Sequence, residues 1–171
     1  MTSIKFSVLW DNYSTGEPCR DRKTGKIPDG FSNQCAIRLG LALAMSGVSF
    51  ASFRGKRCPC APHESGMAAS ASELAEWLGP KTVPGCSEAE PYTGRTVFEG
   101  VRDRTGIIFL GGYWHRPNDR ESARSGNHID LWNGVRMSNY PSWFRVHFGI
   151  SWDGVFSDYR LASTATFWEI K

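Results

Sequence analysis

Apolar and polar positions change period along this chain, dividing it into a helical front and a stranded back. Between 33 and 46, apolar residues recur at helical spacing through Ile37, Leu41, Ala44 and Met45. Ser32 stands at the N-cap position and Gly47 just past the end, so the pattern predicts a buried helix over 33–46. A second helix is announced by the capping-box pattern Ser70-Ala71-Ser72-Glu73, continued by Leu74, Trp77 and Leu78, and stopped by Gly79-Pro80. A third is predicted over 96–104, "TVFEGVRDR", interrupted by Gly100. "KFSVLW" at 5–10 reads as a short strand, and "GIIFLGGYW" at 106–114 as a buried one. "GNHIDLWNGVRMSNY" at 126–140 reads as a hairpin around Asn133-Gly134. In the tail, Thr164, Thr166 and Trp168 alternate with Ala165, Phe167 and Glu169, a further strand. Polar loops fill 11–30 and 115–126. No repeat or linker breaks the chain, which predicts one domain over 1–171. Helices first and strands last give an α+β fold.

The hairpin bears on chemistry. A two-residue type I′ turn at Asn133-Gly134 pairs Trp132 with Val135. Counting outward sets His128 opposite Asn139, with Cβ atoms roughly 4.5–5.5 Å apart. An amide oxygen there accepts an imidazole N–H and leaves the other ring nitrogen for a thiol. Asp130 competes for this role, because it lies two residues from His128 on the same face and carries the stronger acceptor.

The thiol is Cys35. With Ser32 as cap it falls at the third helical position, where free N–H groups and the helix dipole favour a thiolate. A thiolate is the nucleophile of cysteine hydrolases, and its own backbone N–H can serve an oxyanion. The competing reading is a buried cysteine acting as a small hydrophobe. Cys35, His128 and Asn139 together match the residue types of the papain-type triad.

Composition narrows the field. Hydrophobic residues make up 40% and charged residues 22%, a globular balance. The net charge of +3 falls short of a nucleic-acid footprint. No run approaches 18 apolar residues, so no membrane span is expected. The first ten residues lack a long apolar core and a cleavage site, so no signal peptide is expected. "CPCAPH" offers Cys58, Cys60 and His63, but C-x-C is not zinc-finger spacing and no second cluster completes a site. No metal and no cofactor are expected.

With these residues in place, the sequence resembles the type VI secretion amidase effectors, family four. The resemblance rests on "LWDNY" with Cys19 after it, "NQCAIRLG", "NHIDLWNG" and the terminal "FWEI". It implies a papain-like fold of the NlpC type and a cysteine endopeptidase cutting peptidoglycan stems between D-glutamate and meso-diaminopimelate. Carried over by motif, Cys35 is the nucleophile and His128 the base. The family's third residue is an aspartate, where this chain has Asn139. The resemblance also implies passage through a type VI tube protein into a rival's periplasm, and a cognate immunity protein. Alternatives are a thiol hydrolase acting on the muramoyl–L-alanine bond or on a protein, and a non-enzymatic secreted binding module. In an oxidising periplasm, a Cys58–Cys60 bond across one proline is strained, so a disulfide is expected to join one of them to Cys19 or Cys86.

Overall fold

The computed structural model describes residues 3–62, 65–114, 125–138 and 159–171. It divides into two compact units, Met1–Ser87 with Ile170–Lys171, and Glu88–Glu169. No helix among the described residues is long and apolar enough to cross a membrane.

The first unit is helical. Its opening segment is helix α1, Phe6–Asp11, where a strand was expected. Phe6 and Leu9 are buried on one face, and the Phe6 and Trp10 rings stand 5.6 Å apart, while Val8 is exposed. So short an apolar run fits either period, and contacts decide. Here the Ile4 N–H donates to Pro84 O and the Phe6 N–H to Lys171 O, which anchors the start of the helix.

Helix α2 spans Cys35–Met45 and begins two residues later than the spacing predicts. Its N-cap is Gln34, not Ser32. Its buried face comprises Cys35, Ala36, Ile37, Leu39, Gly40, Ala42 and Leu43, whereas Met45 is 61% exposed. The expected apolar stripe is therefore rotated. Gly40 explains part of this, because a Cβ there would stand 1.8 Å from the Gly66 carbonyl oxygen. The C-terminus is a Schellman motif: the Val48 N–H donates to Leu43 O and the Gly47 N–H to Ala44 O, with Gly47 at φ 92°.

Cys19 and Cys58 form a disulfide, one of the pairings left open by the sequence. It packs on Ile37 of α2. Helix α3, Ala71–Trp77, has its predicted cap, with Ser70 Oγ accepting from the Glu73 N–H at 3.3 Å. Glu73 does not close the capping box but accepts from the Lys56 N–H at 2.8 Å. Trp77 packs on Phe50, ring centroids 4.6 Å apart.

The second unit is an antiparallel sheet in the order β1-β4-β2-β3. These strands are β1 (Glu90–Tyr92), β2 (Gly106–Trp114), β3 (Gly126–Trp132) and β4 (Thr164–Glu169). The tail strand and the 106–114 strand were legible, whereas β1 is too short to signal itself. Strand β2 lies between two partners, which accounts for its unbroken apolar run. The third predicted helix shrinks to one turn, α4, Val97–Gly100. Its Val97, with Val101, packs against Ile108, Leu110 and Phe167 of the sheet. Arg104 joins two strands, donating to Glu90 on β1 (2.8 and 2.5 Å) and Glu169 on β4 (2.6 and 3.2 Å).

The turn after β3 departs from the expectation. Trp132 bridges Met137, not Val135. The Asn133 N–H donates to Arg136 O at 3.0 Å, and the Ser138 N–H to Leu131 O at 3.1 Å. Asn133 Oδ1 accepts from the N–H groups of Val135 and Arg136, an Asx-type closure that stabilises a four-residue loop over the two-residue turn. Paired positions therefore sum to 269, and the count joining His128 to Asn139 started from the wrong pair. Asn139 itself lies outside the described residues.

Candidate active site

Strand β3 presents His128 and Asp130 on one face, opposite Leu110 and Ile108 of β2. Both are buried, Asp130 completely. The carboxylate is held on one side: Asp130 Oδ1 accepts from the Leu131 N–H at 2.7 Å and from Ser138 Oγ. Its other oxygen, Oδ2, makes no hydrogen bond among the described residues and lies 3.4 Å from Nε2 of His128, at ion-pair distance. The imidazole lies nearly parallel to the Tyr159 ring, centroids 5.2 Å apart at 21°. Tyr113 meets it edge-on at 6.4 Å. A histidine so placed has its plane set by aromatic packing and a buried carboxylate beside its Nε2.

Of the residues expected to orient the imidazole, the structure thus brings Asp130 to it. His63, His115 and His147 lie outside the described residues, as Asn139 does.

Cys35 belongs to the first unit. It is the first residue of α2 rather than the third, which keeps it in the turn where free N–H groups and the dipole favour an anion. It is 5% exposed. The Cys35 N–H points at Asn33 Oδ1, a long contact of 3.4 Å. The residue before it, Gln34, is buried, and its carboxamide is spent on Cys19: Oε1 accepts from the Cys19 N–H at 2.9 Å and Nε2 donates to Cys19 O at 3.1 Å. The disulfide loop and the start of α2 are thereby fastened together.

Sequence reasoning missed Gln34, Ser138, Tyr113 and Tyr159. Ser138 carried a weak signal, since it follows β3 in the expected return strand. Tyr159 carried none, as nothing local ties it to His128. Of the "CPCAPH" thiols, Cys58 is bonded to Cys19, and the three sulfurs of Cys19, Cys58 and Cys60 lie within 4.8 Å of one another.

Residues 31–168 match the family described as type VI secretion system (T6SS), amidase effector protein 4. No curated protein matches the chain in sequence. Among solved structures, the effector Tae4 from Salmonella typhimurium, in complex with the immunity protein Tai4 from Enterobacter cloacae, aligns with TM-score 0.64 at 18% identity. That alignment covers 98% of this chain and 99% of that one. Tae4 from Enterobacter cloacae aligns with TM-score 0.58 at 17% identity, over 99% and 98%. At such identities these structures speak for the fold, the expected α+β papain-like one. The family match covers most of the sequence, so the chain belongs to the type VI secretion amidase effectors of family four and is an enzyme of that kind.

Proposed function

We propose that this amidase is a cysteine-dependent peptidoglycan hydrolase that cuts stem peptides between D-glutamate and meso-diaminopimelate, with Cys35 as nucleophile and His128 as base. Asp130 is its orienting carboxylate. The observation that carries the residue assignment is the His128–Asp130 pair on β3, whose carboxylate is clamped through Oδ1 and turned by Oδ2 to Nε2 of the imidazole.

With Nε2 turned to Asp130, Nδ1 is the nitrogen assigned to the Cys35 thiol. His128 takes the thiol proton, and the thiolate attacks the γ-D-glutamyl carbonyl. The tetrahedral oxyanion draws on the Cys35 N–H, whose long contact to Asn33 yields to a stronger acceptor. His128⁺ then protonates the leaving diaminopimelate amine. Water, deprotonated by His128, hydrolyses the thioester. All of 1–171 serves as one functional domain in this reading. Family membership and the effector–immunity complexes of the relatives support delivery through a type VI tube into a rival's periplasm and capture by a cognate immunity protein.

The test is digestion of purified sacculi followed by mass spectrometry of the products. New D-glutamate carboxyl and diaminopimelate amino termini are expected. Release of intact stem peptides beginning with L-alanine would move the cut to the muramoyl bond, and no release from any sacculus would overturn the reading.

A further inference from the structure

Four of the five cysteines have an evident place. Cys19 and Cys58 share a disulfide, Cys35 is the assigned nucleophile, and the buried Cys86 thiol donates to Ser87 O at 3.4 Å. Cys60 is left, a partly exposed thiol whose Sγ lies within 4.8 Å of both sulfurs of the disulfide.

We propose that in the reduced chain Cys19, Cys58 and Cys60 form a trithiolate site for a soft d¹⁰ cation, zinc(II) or copper(I). Metal–sulfur bonds of about 2.3 Å set the sulfurs of one coordination sphere roughly 3.8–4.0 Å apart. All three sulfurs already lie within 4.8 Å of one another, and opening the disulfide lets the Cys19 and Cys58 sulfurs part from bonding distance towards that spacing. The surroundings suit a soft ion: Ile37, Phe31, Met67 and Ala69 wall the cluster with apolar side chains and a thioether, while the exposure of Cys60 leaves an entry path. Lys56 sits 4.5 Å from the centroid of the Phe31 ring, so a cation stands near the excess negative charge of three thiolates. The ligand backbones are preset, Cys19 by Gln34 and Cys58 by its N–H to Met67 O at 2.9 Å.

The disulfide and the ion exclude each other, because the bond consumes two of the three thiolates. In a reducing cytoplasm, converging thiols are more often metal ligands than bonded partners. The sequence argued against a metal because C-x-C lacked a partner cluster. The fold supplies the third thiol from Cys19, thirty-nine residues away from Cys58. None of the three sulfurs belongs to the assigned catalytic set, so site and activity are separable.

The full chain, reduced with a phosphine and kept free of oxygen, is titrated with Zn²⁺ against a chromophoric chelator, with Cu⁺ against bicinchoninate, and with Co²⁺ for its thiolate charge-transfer band. One equivalent of zinc or copper is expected with the reduced chain and none with the oxidised one. Cys60→Ala, whose fold is checked by circular dichroism, is expected to weaken binding at least tenfold, while Cys35→Ala leaves it unchanged. The proposal is overturned if the reduced chain takes up neither ion, if Cys60→Ala binds as wild type, or if Cys35→Ala abolishes binding.

Discussion

Asp130 turns Oδ2, which accepts no hydrogen bond among the described residues, to Nε2 of His128 at 3.4 Å, while Oδ1 is occupied by Leu131 and Ser138. In the proposed mechanism this carboxylate is what orients the ring. Asp130→Asn is therefore expected to lower turnover on the order of 10²–10⁴-fold with the fold retained. Ser138→Ala, which removes one of two donors from Oδ1, should cost roughly tenfold or less. Steady-state rates of both variants and of Asn139→Ala on one stem-peptide substrate decide the matter. A silent Asp130→Asn beside a crippled Asn139→Ala would return the role to Asn139.

Cys35 opens α2 with its side chain buried. Cys35→Ala is expected to leave circular dichroism and melting temperature near wild type and to reduce turnover on the order of 10⁶-fold. Activity within tenfold of wild type would remove Cys35 from the mechanism.

Tyr159 lies nearly parallel to the imidazole at 5.2 Å, and its ring also meets Tyr113 at 4.9 Å. Tyr159→Phe keeps the stacked face and is expected to retain activity within a few-fold, whereas Tyr159→Leu frees the ring to rotate and should cost tenfold or more in turnover. Equal losses in both variants would mean that the hydroxyl, not the stacked face, matters.

What the sequence made legible follows the strength of its local signals. The Ser70 cap fixed α3, and the alternation of 164–169 and the apolar run of 106–114 fixed two strands. The start of α2 slipped by two residues because Ser32 has the right chemistry for a cap but is exposed and unused, while Gln34 is drawn inward by Cys19. "KFSVLW" was misread because its helix is held by the backbone of Pro84 and Lys171, partners no local pattern announces. The hairpin register failed at Asn133: its side chain caps two following N–H groups and lengthens the loop, which a dipeptide rule does not foresee. Asp130 stood in the sequence only as the rival to Asn139, because a turn count outweighed the simpler same-face spacing of 128 and 130, and it is Asp130 that lies beside His128 on β3.

Arg104 bridges Glu90 and Glu169, and hydrogen bonding from its guanidinium holds the Glu90 carboxyl below the usual glutamate range. A carboxyl with a depressed folded-state pKa contributes stability above its unfolded pKa and loses it as pH falls through the folded value. Arg104→Met is thus expected to lower the melting temperature by roughly 2–4 °C near neutral pH, the scale of a partly exposed ion pair. The gap to wild type should close as pH drops below about 4. A gap of constant size down to pH 2.5 would mean that the lost cation–π contact of the guanidinium with the Phe167 ring, not its pairing with the carboxylates, is responsible.

Gln34 links the disulfide loop to the residue that opens α2. Its carboxamide satisfies both backbone groups of Cys19, which is wholly buried, so Gln34→Ala leaves a donor and an acceptor unpaired at about 1–3 kcal/mol each. In a chain of this size that lowers the melting temperature by several degrees. Breaking the bond itself with Cys58→Ser opens a loop of 39 residues, and loop entropy puts the loss near 4 kcal/mol. If both act through one unit, the double variant will be less destabilised than the two single losses added together, because Cys19 is already loosened in each. Denaturant melts of the four proteins, run with a chelator present so that no ion rescues the thiols, measure the coupling. Strict additivity would show that Gln34 and the disulfide stabilise the start of α2 independently.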